Sequence, residues 1–178
     1  MQVLRASDRE PEPWKNGRGE TREIARCGPR DRFDWRVSVA TIAESGPFSH
    51  FPDVIRSFVL LQGKVRLQVA GSVIGLDAGG APTTFDGAAD VDCALIEGPA
   101  SALNVMTRCG KYSAEVLPLK HQKRGSRDGA VVIFTAPVLL ASERLVSGDA
   151  LLLEPGEAVP EMPAAASGWH ILFREDTP

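Results

Sequence analysis

Short runs of alternating apolar and polar residues, each closed by a turn signal, constrain this chain more than any other feature. Lys64-Val65-Arg66-Leu67-Gln68-Val69 alternates strictly, and only an extended strand sends every second side chain to the same face. Asp34-Trp35-Arg36-Val37-Ser38-Val39-Ala40 behaves alike, with Trp35, Val37 and Val39 on one face and Arg36, Ser38 and Ala40 on the other. Strands are also expected over Ser57–Leu61, Ser72–Leu76, Asp92–Ile96, Ala102–Arg108 and Ser113–Leu117, with Gly63 and Asp77-Ala78-Gly79-Gly80 as turns. The 17 glycines and 13 prolines are spread along the whole length, as hairpin corners would be. No window of helical length keeps an apolar stripe at i, i+3, i+4 and i+7, so little helix is expected. The pattern is that of an all-β sandwich or barrel.

A second block of strands is expected beyond a basic, turn-rich connector, residues 119–129: Ala130–Thr135, Pro137–Ala141, Ala150–Leu153 and Trp169–Phe173. Gly148-Asp149-Ala150-Leu151-Leu152-Leu153-Glu154-Pro155-Gly156 repeats the logic of Gly75-Leu76-Asp77-Ala78-Gly79, a hairpin strand ending in an acidic or proline residue and glycine. The expected organisation is a first barrel over 1–118 with an N-terminal arm, the connector, and a smaller degenerate half over 130–178 packed on it. About 50 residues would hardly sustain a core alone.

A net charge of −3 argues against a nucleic-acid or membrane-surface partner. Met1–Glu10 has no apolar signal-peptide core, no run reaches the ~20 residues of a membrane span, and Cys27, Cys93 and Cys109 are odd in number with no C-x-x-C. Reduced thiols in the cytoplasm are the expectation. Phosphate-loop, dinucleotide and nucleophile-elbow signatures are absent from the sequence.

Hairpins joined by Asp/Pro-x-Gly turns suggest a cupin-like (RmlC-like) barrel, here as two lobes, a bicupin whose second half is degenerate. Metal-binding barrels of that kind set two histidines at i and i+2, because alternation then faces both inward. His50, His121 and His170 are isolated, so neither a metal nor another cofactor is expected. The interior's polar chemistry is left to other side chains. Arg36 and Ser38 lie on the face opposite Trp35, Arg56 shares a side with Phe58 and Leu60, and Asn104, Met106 and Arg108 alternate with Val105, Thr107 and Cys109. Facing inward, these arginines would make a cationic pocket for a carboxylate, which guanidinium pairs through two parallel hydrogen bonds. Trp14, Lys15 and Asn16, in the loop-like segment Pro13–Ile24, would wall the barrel mouth.

Several phrases together carry a likeness: Pro13-Trp14-Lys15-Asn16-Gly17, Thr21-Arg22-Glu23-Ile24, Phe33–Ala40, Gly46-Pro47-Phe48-Ser49 with Phe51-Pro52, Phe85-Asp86-Gly87, Gly98-Pro99 and Asn104–Arg108. In order and spacing, from about Leu4 to Leu117, the chain resembles the HutD/Ves family. One departure is Arg18, which stands where the family usually has the middle of three glycines. The resemblance implies a metal-free, two-lobed cupin-like fold. It also implies a link to histidine utilisation, with a role in binding an intermediate such as urocanate or formylglutamate and so moderating that pathway.

The favoured reading is a non-enzymatic protein that holds a small carboxylate in the first barrel. Arg36 and Arg56 would pair the anion, Ser38 and Asn104 would give directional hydrogen bonds, and Trp14, Lys15, Asn16 and Arg108 would complete the site. The alternative is a metal-independent enzyme using Lys15 or Glu20 as acid or base. A structural role, with a homodimer formed by sheets pairing face to face, is a third reading.

Overall fold

The alternating runs are strands in the computed structural model, which describes residues 1–121 and 127–176. In chain order the strands are β1 (Gln2–Leu4), β2 (Glu12–Pro13), β3 (Gly19–Cys27), β4 (Trp35–Ile42), β5 (Gly46–Pro47), β6 (Val54–Val69), β7 (Ser72–Asp77) and β8 (Thr83–Asp86). They continue as β9 (Val91–Arg108), β10 (Tyr112–Pro118), β11 (Ala130–Phe134), β12 (Val138–Leu140), β13 (Glu143–Leu145), β14 (Ala150–Leu153) and β15 (Gly168–Glu175). The only helices among the described residues are 3₁₀ turns at Ala6–Asp8 and Leu119–His121. Among the described residues, no helix is long and apolar enough to cross a membrane.

Contacts divide the chain into two compact units, Glu10–Cys109 and a second made of Met1–Arg9 with the chain from Gly110 onward. The boundary expected at residue 118 therefore falls at Cys109. β10 pairs with β15 along its whole length, from Tyr112 opposite Glu175 to Pro118 opposite Trp169, and β1 pairs with β14. Both strands belong to the second unit for that reason. The expected connector starts with the 3₁₀ turn, whose Leu119 is buried in the second unit's core; residues 122–126 lie outside the described residues.

The Glu10–Cys109 unit is one antiparallel sheet in the order β2-β3-β4-β9-β6-β7, with β5 added on β9 and β8 on β6. Its core gathers Ile42, Phe48, Phe58, Leu60, Leu67, Phe85, Cys93 and Ala102, with Trp14 packed against it. The second unit has a five-stranded sheet, β1-β14-β11-β15-β10, and the hairpin β12-β13. Its core is built on Val132, Phe134, Leu140, Leu145, Leu151 and Leu153.

Two pairs of expected strands are single strands. Ser57–Leu61 and Lys64–Val69 fuse into β6, and Asp92–Ile96 and Ala102–Arg108 into β9, because Gly63 bends the chain without ending the pairing. The β6/β9 register slips between Leu60 and Val65, and Gly63 sits at φ +86°. Such bulges bend and twist a strand while the ladder continues on either side. A Cβ at Gly63 would stand 2.8 Å from the Glu97 carbonyl oxygen and 3.2 Å from Ala100 Cα. Gly63→Ala combines that contact with left-handed strain, so it is expected to lower unfolding free energy by about 1–3 kcal/mol in a urea titration.

Candidate functional site

Register across three strands builds the site. On β9, Met106 lies between Arg36 of β4 and Arg56 of β6, and Asn104 lies between Ser38 and Phe58. Directly opposed residues in neighbouring antiparallel strands share a face, so these six side chains form two adjoining rows. All six line a cavity of about 440 Å³, whose wall on one side is Trp14, Lys15 and Asn16 and on the other Phe48, Ser49, His50 and Phe51.

Arg56 is the centre of this cavity's chemistry. Its residue is only 6% exposed, and no carboxylate pairs with it among the described residues. Nε donates to Asn104 Oδ1 at 3.4 Å and Nη1 to the Ser49 carbonyl at 3.3 Å, both long for such bonds. The guanidinium carbon lies 5.3, 5.5 and 5.2 Å from the ring centroids of Phe48, Phe51 and Phe85. Ring faces attract a cation by up to about 2 kcal/mol each when water is excluded, which offsets part of the cost of burying the charge. What remains shows in the guanidinium's pKa, which burial pushes down to about 10. The result is a buried cation held in place by neutral partners.

Arg36 lines the same cavity, but its charge is already met. Its Nε donates to Glu23 Oε2 at 2.8 Å, and Nη2 lies 4.0 Å from Glu12. The two arginines read together from the sequence thus differ in kind: one is paired and one is not. Ser38 and Asn104 are buried beside Arg56. Trp14 donates its indole N–H to Thr21 Oγ1 at 2.9 Å and meets Phe48 edge-on at 6.3 Å. Asn16 caps its own loop, accepting from the Arg18 amide at 3.1 Å, while Lys15 is exposed at the rim.

Arg108 is not brought together with these residues. It has the parity of Asn104 and Met106 but sits at the strand's last position, outside the cavity lining; its Nε donates to the Phe33 carbonyl at 3.0 Å and its guanidinium lies over the Phe33 ring. Glu20 is likewise absent from the lining and pairs with Arg22. Phe48, Ser49, Phe51 and Phe85 are the residues the sequence reading missed. They stand in the quoted phrases Gly46-Pro47-Phe48-Ser49, Phe51-Pro52 and Phe85-Asp86-Gly87, and the usable signal was that Phe85 falls opposite Arg56 once β8 is paired with β6.

No cluster of three or more His, Cys, Asp or Glu able to hold a metal occurs among the described residues. His50 lies 3.0 Å from Asp90, while His170 is a core residue of β15. Burial, aided by Asp92, pushes the Cys93 thiol up to about 11, which disfavours the thiolate.

The HutD family model matches residues 6–170. Protein Ves of Citrobacter koseri is 38% identical over 139 residues, which cover 75% of this chain and 73% of that protein. A 21.2 kDa Pseudomonas putida protein described as uncharacterised and lying in the hutC 3′ region is 38% identical over 123 residues, 65% of this chain and 63% of its own length. Among solved structures, HutD of Pseudomonas fluorescens SBW25 superposes with a TM-score of 0.85 at 30% identity, covering 98% of each chain. An oxalate decarboxylase of Lactobacillus farciminis gives a TM-score of 0.62 at 8% identity, over the whole of this chain and 86% of that one, and so shares the cupin-like fold alone. Matched in sequence over nearly its whole length and in fold from end to end, the chain belongs to the HutD/Ves family of cupin-like β proteins.

Proposed function

We propose that this protein is a non-enzymatic receptor for a small carboxylate, held in the Glu10–Cys109 barrel, and that it moderates histidine utilisation by binding an intermediate such as urocanate or formylglutamate. The observation that carries the reading is Arg56, a buried guanidinium facing a 440 Å³ cavity with no acidic partner among the described residues. A carboxylate there would gain charge-assisted hydrogen bonds in a water-poor setting, where they are strongest. Asn104 and Ser38 supply directional groups beside it, and the phenylalanines and Trp14 bury the ligand's apolar body. The cavity's size suits a small metabolite rather than a polymer. The link to histidine utilisation comes from the family, one of whose members lies in the hutC 3′ region.

Calorimetric titration with urocanate, formylglutamate and a panel of other organic acids tests this. At least one carboxylate is expected to bind with a Kd below about 1 mM, corresponding to more than about 4 kcal/mol. If every acid in the panel stays weaker than that, the carboxylate-receptor reading fails.

A further inference from the structure

Arg18 belongs to the β2–β3 loop, part of which walls the Arg56 cavity, and its side chain reaches the chain that leads into the opposite wall. One wall is the β2–β3 loop. It is closed on itself by the Trp14 amide donating to the Gly19 carbonyl and the Gly17 amide donating to the Trp14 carbonyl, both at 2.9 Å, with Gly17 at φ +71°. The other wall runs from Pro47 to Phe51, and the chain leading into it is anchored to the sheet by Leu95 N–H donating to Ser45 Oγ at 2.9 Å and by Gly46 and Pro47 pairing with Cys93 and Asp92. That segment carries the Ser49 carbonyl and two of the three rings around Arg56.

Arg18 ties the loop to the chain after β4 through its main chain and to the far segment through its side chain. Its carbonyl accepts from the Ala43 and Glu44 amides at 3.0 and 3.3 Å. Its side chain crosses to the far segment, where Nη1 donates to the Ser45 carbonyl at 2.9 Å. The guanidinium lies directly on the Gly46 backbone: a Cβ there would be 2.0 Å from Arg18 Nη1. The main-chain bonds survive any substitution, whereas the side-chain bond and the packing on Gly46 depend on the residue being arginine. A glycine or alanine at 18 would leave the tip of the loop, residues 15–18, held by main-chain bonds alone, while Trp14 stays tied to Thr21 and the core.

We propose that Arg18 is a positioning residue that clamps the tip of the β2–β3 loop to the Ser45–Phe51 segment and thereby sets how long the cavity retains its ligand. This rests on the carboxylate reading of the same cavity. The lost bond has a charged donor, so dissociation is expected to speed up about tenfold, and changes of this kind fall mainly on the off-rate rather than on association.

The test uses the full chain with Arg18→Ala and Arg18→Lys. Hydrogen exchange of the ligand-free proteins reads the clamp alone, and stopped-flow binding of urocanate and of formylglutamate reads its consequence. Arg18→Ala is expected to exchange faster over residues 15–18 and 43–49 and to release the carboxylate about tenfold faster, with the association rate within about threefold of wild type. Arg18→Lys, which keeps one charged donor, should fall between the two. Unchanged exchange in Arg18→Ala, or release at the wild-type rate, overturns the proposal while leaving the carboxylate reading intact. A wild-type protein that binds neither acid nor any other carboxylate overturns both.

Discussion

Arg56→Met is expected to abolish carboxylate binding, by about a hundredfold or more, in a protein that is at least as stable as wild type. Both halves follow from one fact, that Arg56 is buried with neutral partners. Two hydrogen bonds from a guanidinium to a carboxylate contribute about 3 kcal/mol together, which is the hundredfold. Methionine keeps much of the side chain's length and apolar stem, and its sulfur suits the rings of Phe48, Phe51 and Phe85 that now surround the guanidinium. It also removes a desolvated charge, whose cost the three rings only partly offset. Urea unfolding should therefore place the variant about 1 kcal/mol or more above wild type. A variant that loses binding and also unfolds more easily would show that Arg56 is a strut of the barrel, and the functional reading of its burial would be lost.

The pH dependence has a definite sign. Burial holds the Arg56 guanidinium near 10, below its ordinary value, so the charged form that a carboxylate needs is present through neutral pH. Affinity in wild type is expected to fall as pH rises through about 10. A bound anion favours the charged form, so the fall continues until the higher pKa of the complex is reached.

The side chains around Arg56 divide by what strand alternation can and cannot encode. Alternation alone places Arg36, Ser38, Arg56 and Asn104 on one side of their strands, and the β4-β9-β6 register does set them in adjoining rows. Alternation carries no information about who neutralises a charge. Arg36 meets Glu23 across β3, where a bulge between Glu23 and Ala25 shifts the register, and that bulge leaves no mark in the residue pattern. The rings of Phe48 and Phe51 come from irregular chain just after β5, so their place over Arg56 depends on tertiary folding. Arg108 shows the opposite failure: its parity is right, but parity says nothing of where a strand leaves the cavity. The same limit applies to Gly63, which reads as a turn and acts as a bend, because a left-handed glycine serves either purpose.

Asp149→Ala is expected to cost about 3–5 kcal/mol and to detach the N-terminal segment of the second unit before the rest unfolds. Asp149 is 1% exposed, and its carboxylate accepts three bonds: from the Ala6 amide at 2.8 Å, from Arg5 Nη1 at 2.8 Å and from the Val146 amide at 3.0 Å. β1 is only three residues long and lies at the edge of its sheet, so its place there depends on this anchor as much as on its own ladder. Removing the carboxylate strands two backbone donors and breaks the link from residues 5 and 6 to the turn before β14, a loss of several bonds to a charged acceptor at once. Burial works to raise this carboxyl's pKa, but the Ala6 and Val146 amides and the Arg5 guanidinium outweigh it and hold it below the ordinary aspartate range. A depressed carboxylate stabilises the fold above its unfolded pKa, about 3.9; that contribution disappears as pH falls through the folded value. Asp149→Asn, which keeps an acceptor but has no charge to lose, should therefore unfold more easily than wild type at neutral pH and converge on it in acid. Hydrogen exchange at Gln2–Leu4 locates the effect. If those amides exchange no faster in Asp149→Ala, the anchor is not what holds β1 in place, and the loss of stability must come from the turn before β14 alone.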